Sequence, residues 1–360
     1  MKGTLALFVG NKSAFSVQRL ISNISWMVSD HFNLHLVTAF QDPNKLDAEG
    51  FEKVYYGKNR DRLHPYSSEY KSLDEYLSQH DPDAIVQLTE PPRHGTLASL
   101  ASKKHGTKFV YRYSGDRFSI YEYESNTKSK IKTYAVNNIA GRIPLPLADY
   151  HIVLGDDGRN KLVSRGVSES TICELPVSID IDRFSTPPNI RPPVADSIPS
   201  GRQVILFAGW MSTMKGAKTV ERVIPKILAQ RKDIHFVHVG PGSFPDVPER
   251  FQNYVTSVGS VEPELMPQYY HFADLLLHPS NIEGMTRVIM EAIAAGTPVL
   301  ARDVGEISML TANTFENEEE LIRYVIDMES MPVEDITPFS REKLKEKYIE
   351  TFTRICMDRL

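Results

Sequence analysis

Two glutamates stand eight residues apart in residues 279–299, among mostly apolar or small neighbours. At this spacing Glu283 would lie just before a helix, and Glu291 would lie about two turns inside it on roughly the same face. A carboxylate within an apolar helix needs hydrogen-bond donors, and the neighbouring hydroxyls of a sugar or a ribose supply two. The pattern indicates that Glu283 points into a cleft and that a buried acid in this helix could bind the hydroxyls of a sugar or a ribose.

The start of the same helix offers a second kind of contact. Its first peptide N–H groups belong to Gly284, Met285 and Thr286. A helix N-terminus carries partial positive charge and unpaired donors, which suit a diphosphate. A solvated capping acid followed by an ordinary core helix explains the spacing equally well, so the spacing alone leaves both interpretations open.

Short apolar runs alternate with helical patterns in both halves of the chain, which predicts parallel sheets covered by helices on both faces. The predicted strands are residues 5–9, 34–38, 84–88, 109–113, 151–154, 171–175, 204–208, 234–239, 274–278 and 298–301. The predicted helices are residues 14–29, 70–79, 96–105, 156–165, 216–230, 262–271, 286–295, 316–328 and 341–360.

A proline-rich stretch at residues 186–200 separates the two patterns and cannot form a central strand or a helix interior. We therefore predict an acceptor-side domain at 1–185, a linker at 186–200 and a donor-binding domain at 201–330. Residues 331–360 would form a helical segment that could pack back on the first domain. Two doubly wound domains facing each other form a cleft at the carboxyl ends of their strands, where such folds bind ligands.

In the first domain, two loops follow predicted strands and could line this cleft. Gly10 and Asn11 follow the first strand, and Arg112 lies near the end of a later one. Asp116, four residues further on, could orient an acceptor hydroxyl or could cap a turn, and the sequence leaves both roles open. Gly10, Asn11 and Arg112 are the predicted acceptor side, and Asp116 is a predicted catalytic residue that could also hydrogen-bond the donor sugar.

The stretch with the two glutamates resembles the EX7E signature of the retaining GT-B glycosyltransferases of family 4, which use nucleotide-sugar donors. Three further segments are similar to that family in the same order: residues 204–216, 258–274 and 301–305. Residues 177–184 resemble the segment that closes its first domain. The resemblance covers most of the chain and implies an α/β GT-B fold with two Rossmann-like domains around a central cleft.

The resemblance also implies roles for individual residues. Lys215 would steady the leaving phosphates together with the amides of residues 284–286, while Glu291 would hold the ribose and Glu283 the sugar. The remaining donor-site residues are Gly209, Trp210 and Gly259. Trp210 stands where the family normally has an arginine, and another cation such as Arg287 or Arg302 could replace that charge.

Composition excludes several classes of protein. The chain has 360 residues and a net charge of −5, unlike a polybasic nucleic-acid binder, and its two cysteines form no metal motif. It shows no secretory leader or spanning apolar run, so we expect a cytoplasmic location. Residues 125–142 carry four cations and no acid, which could contact a lipid-phosphate acceptor at the inner membrane face or could form a solvated helix face.

The sequence therefore predicts a metal-independent hexosyltransferase without a bound cofactor. It would move a sugar from a nucleotide-diphosphate donor to a glycan, a lipid-linked acceptor or another hydroxyl compound. Three alternatives remain: a non-catalytic nucleotide-sugar binder, motivated by Trp210; a nucleotide-sugar epimerase on the same fold; and a Rossmann oxidoreductase.

Overall fold

The computed structural model describes residues 2–10, 15–38, 49–57, 65–328 and 331–358. The chain divides into two compact units, of which unit 1 comprises Met1–Ser178 with Arg341–Leu360 and unit 2 comprises Ile179–Ser340. Each unit is a parallel sheet with helices in its strand connections, so the prediction of two doubly wound α/β domains is confirmed. Within the described ranges, no helix is both long and apolar enough to cross a membrane.

The sheet of unit 1 has the strand order β3-β2-β1-β4-β5-β6-β7. Its strands are β1 (Gly3–Gly10), β2 (Phe32–Thr38), β3 (Lys53–Tyr56), β4 (Ala84–Gln87), β5 (Lys108–Arg112), β6 (Tyr150–Val153) and β7 (Ile172–Glu174). The central strands are continuous apolar runs because both faces of the sheet are covered. Leu5 and Leu7 pack into one core layer, while Ala6 and Phe8 pack into the layer on the opposite face.

The helices of unit 1 are α1 (Phe15–Val28), α2 (Pro65–Gln79), α3 (Pro91–His105), α4 (Thr127–Tyr134), α5 (Asp156–Val163) and, near the end of the chain, α11 (Arg341–Met357). Proline suits the first turn of α3, where a backbone N–H is not needed, and Gly106 ends that helix in the left-handed conformation with φ 72°. The apolar face of α11 packs against α1, and the Phe352 ring meets Phe32 edge-on at 6.2 Å.

The sheet of unit 2 has the strand order β10-β9-β8-β11-β12-β13. Its strands are β8 (Gln203–Ala208), β9 (Ile234–Val239), β10 (Val255–Gly259), β11 (Leu275–His278), β12 (Val299–Arg302) and β13 (Thr314–Phe315). Its helices are α6 (Asp182–Ser185), α7 (Ala217–Gln230), α8 (Met266–Phe272), α9 (Arg287–Ala294) and α10 (Glu318–Ile326). Asn317 caps α10 by accepting a hydrogen bond from Glu320 N at 3.0 Å, as asparagine commonly does at this position.

The division into units differs from the predicted domain limits at the proline-rich stretch. Residues 186–200 lie within unit 2, and the boundary falls after Ser178. The Arg191 guanidinium lies over the Phe272 ring of α8 at 5.7 Å, and Pro192 lines a cavity together with His271 of the same helix. The stretch therefore packs on unit 2, because prolines prevent regular structure without preventing packing.

Candidate functional site

The candidate site lies in unit 2, at the point where the strand order of the sheet reverses. Strands β8 and β11 are neighbours there, and the loops that follow them leave the same edge of the sheet. Asn281 joins the two loops, because its backbone N–H donates to Met214 O and its side-chain amide donates to Thr213 O, both at 2.8 Å.

Three charged or titratable side chains meet between these loops. Lys215 Nζ lies 2.5 Å from Glu283 Oε1, and His278 Nε2 lies 2.8 Å from the same oxygen. Glu283 is 9% exposed, whereas Lys215 is 33% exposed. Both of these contacts, from Lys215 and from His278, are made to Glu283 Oε1.

The electrostatics of Glu283 are decided by its two partners. Burial by itself would raise the pKa of this carboxyl group, but Lys215 and His278 outweigh burial and lower the pKa to about 2. The side chain is therefore ionised at neutral pH, so it accepts hydrogen bonds and does not supply a proton.

Two glycines allow the loops to approach this closely. Gly216 has φ +87°, and a Cβ there would lie 2.3 Å from Pro279 O. Gly305 has φ +61°, and a Cβ there would lie 2.5 Å from Glu283 O. Both positions need the left-handed backbone and the missing side chain of glycine, which fixes the backbone that carries Glu283.

The second glutamate of the motif is buried within α9. Glu291 is 5% exposed, and its Oε2 accepts a hydrogen bond from the Tyr270 hydroxyl of α8 at 2.8 Å. A carboxylate buried to this extent requires donors, and Tyr270 supplies one of them. Nothing in the sequence pattern indicated this partner.

The residues predicted to hold a diphosphate lie at the start of α9. Thr286 occupies the N-cap position without a side-chain capping bond. The Thr286 hydroxyl therefore does not make the hydrogen bond that a threonine at this position commonly makes. Met285 is buried, and Gly284 O accepts from Glu306 N at 3.2 Å, which ties this turn to the loop after β12.

The other predicted donor-site residues follow β8 and β10. Gly209 N donates to Val239 O at 2.8 Å, and Gly240 N donates to Gly259 O at 2.9 Å, so the ends of neighbouring strands are held together. Trp210 is 57% exposed. Arg302, one of the cations that could replace the missing arginine, donates to Glu316 O at 3.0 Å and to Thr219 Oγ1 at 3.2 Å.

Unit 1 carries a second polar cluster where its own strand order reverses, between β1 and β4. Gly10 ends β1 with φ +57°, and a Cβ there would lie 2.3 Å from His94 Nε2. His94 is fully buried, and its Nδ1 lies 2.7 Å from Thr89 Oγ1. Asn11, predicted beside Gly10, lies outside the described residues.

Sequence reasoning missed this cluster. Arg93 Nη2 donates to the buried Glu69 Oε2 at 2.6 Å, and His94 Nε2 lies 3.5 Å from the same oxygen. Glu90, at the start of α3, has φ +42°, a conformation that costs free energy for a residue other than glycine. The available signal was the Arg93-His94 pair in the first turn of the helix that follows the buried strand β4.

The two other candidate residues of unit 1, Asp116 and Arg112, form hydrogen bonds within the chain. Asp116 accepts from Ser119 Oγ at 2.8 Å and from Phe118 N at 3.0 Å, and Lys161 Nζ lies 3.1 Å away. These are the contacts of a turn-capping carboxylate, the second of the two predicted roles. Arg112 is 6% exposed and donates to Leu88 O at 3.5 Å, and burial lowers the pKa of its guanidinium.

Comparison with known proteins places the unit 2 site in context. Residues 202–328 match the family model described as "Glycosyl transferases group 1". An uncharacterized glycosyltransferase of Methanocaldococcus jannaschii is 34% identical over 109 residues, which cover 29% of this chain and 28% of that protein. The D-inositol 3-phosphate glycosyltransferase of Geodermatophilus obscurus is 25% identical over 165 residues, or 42% of this chain and 37% of that enzyme.

These matches are partial: the chain spans about a third of the length of the two relatives. The crystal structure of Anabaena HepE in complex with UDP and glucose matches over nearly the whole chain. Its TM-score is 0.70 at 16% identity, and the match covers 98% of this chain and 100% of that one. At this identity the likeness shows the fold, which is GT-B.

Proposed function

We propose that this protein transfers a hexosyl group from a nucleotide-diphosphate sugar to a hydroxyl acceptor, with retention of anomeric configuration and without a metal. The observation that carries the proposal is the buried, ionised Glu283, bound on one oxygen by Lys215 and His278 at the switch point of unit 2. The glycosyl transferases group 1 match over residues 202–328, which include this site, supports the same reaction class.

Glu283 would bind the sugar and would not act as a general acid. With a pKa lowered to about 2 it stays ionised, and its Oε2 can accept hydrogen bonds from sugar hydroxyls. Its partners orient the carboxylate in advance, so that binding the donor requires little reorganisation. The protein then acts mainly by holding donor and acceptor in contact.

Lys215 and the start of α9 would stabilise the departing diphosphate. Lys215 is a compact cation exposed enough to reach a ligand, and the N-terminus of α9 carries the partial positive charge of a helix start. Negative charge accumulates on the diphosphate as the sugar leaves, so these groups favour the transition state. Because Trp210 stands where the resembled family has an arginine, this site has one cation fewer for binding the diphosphate.

The Glu291 carboxylate would bind the ribose, while the Tyr270 hydroxyl donates a hydrogen bond to Glu291 Oε2. The acceptor would bind to unit 1, near Gly10, Arg112 and the His94 cluster. The acceptor is a glycan, a lipid-linked sugar or another hydroxyl compound. One curated relative is named for transfer to D-inositol 3-phosphate, which fits a hydroxyl acceptor.

The first experiment is thermal stabilisation of the purified protein by UDP-, GDP-, ADP- and dTDP-sugars and by NAD. A ligand that binds only the folded state raises the midpoint of unfolding as its concentration rises. We expect one nucleotide sugar to do so in the parent protein and not in Glu291→Gln. Glu221→Gln, on the exposed face of α7, is the matched control and should behave like the parent.

The selected donor is then incubated with candidate acceptors in the presence of EDTA, and the anomeric configuration of the product is read by NMR. Transfer with retention supports the proposal. Binding without transfer would assign the chain to non-catalytic binders, and conversion of the donor without an acceptor would make it an epimerase. Stabilisation by NAD alone would favour the oxidoreductase alternative.

A further inference from the structure

A segment of unit 1 turns its aliphatic residues toward solvent. Helix α4 (Thr127–Tyr134) continues through a π-helical turn at Ala135–Ile139 and a 3₁₀ turn at Ala140–Arg142. Within this segment, side chains of the following residues are exposed by 45% to 66%: Ile131, Val136, Ile139 and Ile143. We call residues 127–143 the outer segment.

The opposite side of the outer segment, which faces the protein, is polar or small. Asn137 is buried, and Thr133 donates to Glu124 Oε1 at 2.9 Å. A Cβ at Gly141 would lie 3.2 Å from Pro92 Cβ, so this turn packs closely on the start of α3. A surface helix normally buries its apolar side, and here the polarity is inverted. Folding of unit 1 therefore does not explain the aliphatic side.

The charges of the outer segment are all positive. Residues 125–142 contain Lys128, Lys130, Lys132 and Arg142 and no acidic residue. Lys128 and Lys132 are exposed and stand one helical turn apart, beside Ile131. On the preceding turn, Glu124 accepts a hydrogen bond from Thr133, and Glu122 is exposed. The exposed aliphatic side is thus bordered mainly by cations.

A cavity of about 400 Å³ opens next to the end of the outer segment. Arg142 and Arg165 line it, together with Ser168 and Thr171. The Arg165 guanidinium is held in place by stacking on the Phe118 ring at 3.7 Å and by donating to Lys161 O at 2.8 Å. Two guanidinium groups and two hydroxyl-bearing residues suit a phosphate group.

We propose that the outer segment is a docking surface for an anionic lipid bilayer. Aliphatic side chains would enter the boundary between headgroups and acyl chains, while the lysines would meet anionic headgroups. The core of a protein interface is usually depleted in lysine, so this composition suits a bilayer better than a protein partner. The proposal goes beyond sugar transfer and does not depend on it, because the nucleotide-sugar site is in unit 2.

The test is co-sedimentation of the full chain with vesicles of phosphatidylcholine alone and with vesicles that also contain phosphatidylglycerol. We expect binding to the anionic vesicles, and we expect high salt to weaken it because salt screens exposed charges. The double variant Lys128→Gln/Lys132→Gln should lower the partition coefficient about thirtyfold, since each lysine near such a surface contributes about fivefold. The double variant Ile131→Gln/Ile139→Gln should lower it about tenfold or more.

The control variants also replace lysines or aliphatic residues with glutamine, at exposed positions outside the outer segment. Lys103→Gln/Lys226→Gln removes two lysines, and Leu100→Gln/Ile190→Gln removes two exposed aliphatic residues. Both controls should bind anionic vesicles like the parent. All of these side chains are exposed, so the variants should keep the parent circular dichroism spectrum and thermal midpoint.

Three results would overturn the proposal. The first is equal binding to neutral and anionic vesicles, and the second is an equal loss in the control variants. The third is an absence of vesicle binding together with a concentration-dependent dimer that Ile139→Gln abolishes, which would assign the surface to a second copy of this chain. Donor binding by unit 2 is measured in parallel, so a failure of this proposal is distinguishable from a failure of the proposed function.

Discussion

Lys215 Nζ and Glu283 Oε1 lie 2.5 Å apart and join the loop after β8 to the loop after β11. The two partners differ in environment, because Glu283 is 9% exposed and Lys215 is 33% exposed. Without the pair, water can still solvate the lysine but cannot reach most of the carboxylate. Glu283 therefore depends on Lys215 more than Lys215 depends on Glu283.

The first prediction follows from this asymmetry. Lys215→Met should lower the free energy of unfolding of unit 2 by about 2 kcal/mol, less than for a fully buried pair because Lys215 is partly exposed. The chain has two tryptophans, Trp26 in unit 1 and Trp210 in unit 2. Urea unfolding in a Trp26→Phe background, followed by Trp210 fluorescence, would report on unit 2.

The double variant Lys215→Met/Glu283→Gln is the control for this prediction. Because its second substitution replaces the buried carboxylate with a neutral amide, the double variant should be more stable than Lys215→Met alone. Strictly additive losses of stability would show that the two side chains are not coupled.

The second prediction concerns pH. The pKa of Glu283 is lowered from 4.5 to about 2 in the folded chain, so its ionised form stabilises the fold. This contribution is complete above pH 4.5 and is lost as the pH falls toward 2. The difference in free energy of unfolding between the parent and Glu283→Gln should shrink by about 2 kcal/mol between about pH 6 and about pH 3. A difference that is constant over this interval would contradict the lowered pKa.

The third prediction compares two glycines of unit 2. Gly305 has φ +61°, and a Cβ there would lie 2.5 Å from Glu283 O. Gly296 has φ +79°, and a Cβ there would have no atom of the described residues within 4 Å. Gly296→Ala should cost about 1 kcal/mol from backbone strain alone. Gly305→Ala should cost about 3 kcal/mol and also weaken donor binding, because the backbone of Glu283 must move. Equal stability losses, with donor binding unchanged, would contradict the packing argument.

Much of the scaffold of the site could be predicted from the sequence. The helix that carries Glu291 is an example: its apolar residues recur at the helical period and predict a helix over residues 286–295. The structure has this helix at Arg287–Ala294. The central strand β8 appears as a continuous apolar run from Val204 to Ala208. The edge strands β3 (Lys53–Tyr56) and β10 (Val255–Gly259) escaped prediction because they are short and mostly half-exposed.

The contacts within the site could not be predicted in the same way. His278 meets Glu283 across a loop and Glu69 meets His94 from another helix, and no sequence spacing encodes either contact. The partner of Glu291, Tyr270, belongs to a different helix. The position of Asp116 after a strand favours a role in binding substrate. In the structure its carboxylate instead accepts hydrogen bonds from backbone and side-chain donors of the same turn. Such contacts depend on how the elements pack.

The fourth prediction concerns Trp210, which is 57% exposed and stands where the resembled family has an arginine. Trp210→Arg should raise affinity for nucleotide diphosphates about tenfold by adding a charge-assisted hydrogen bond at the donor site. Stability should not change, because the side chain is largely in solvent. Trp210→Gln removes the same ring without adding charge and is the matched control, with calorimetric dissociation constants for the selected nucleotide as the measurement. If both variants bind equally, the side chain at position 210 does not contact the diphosphate.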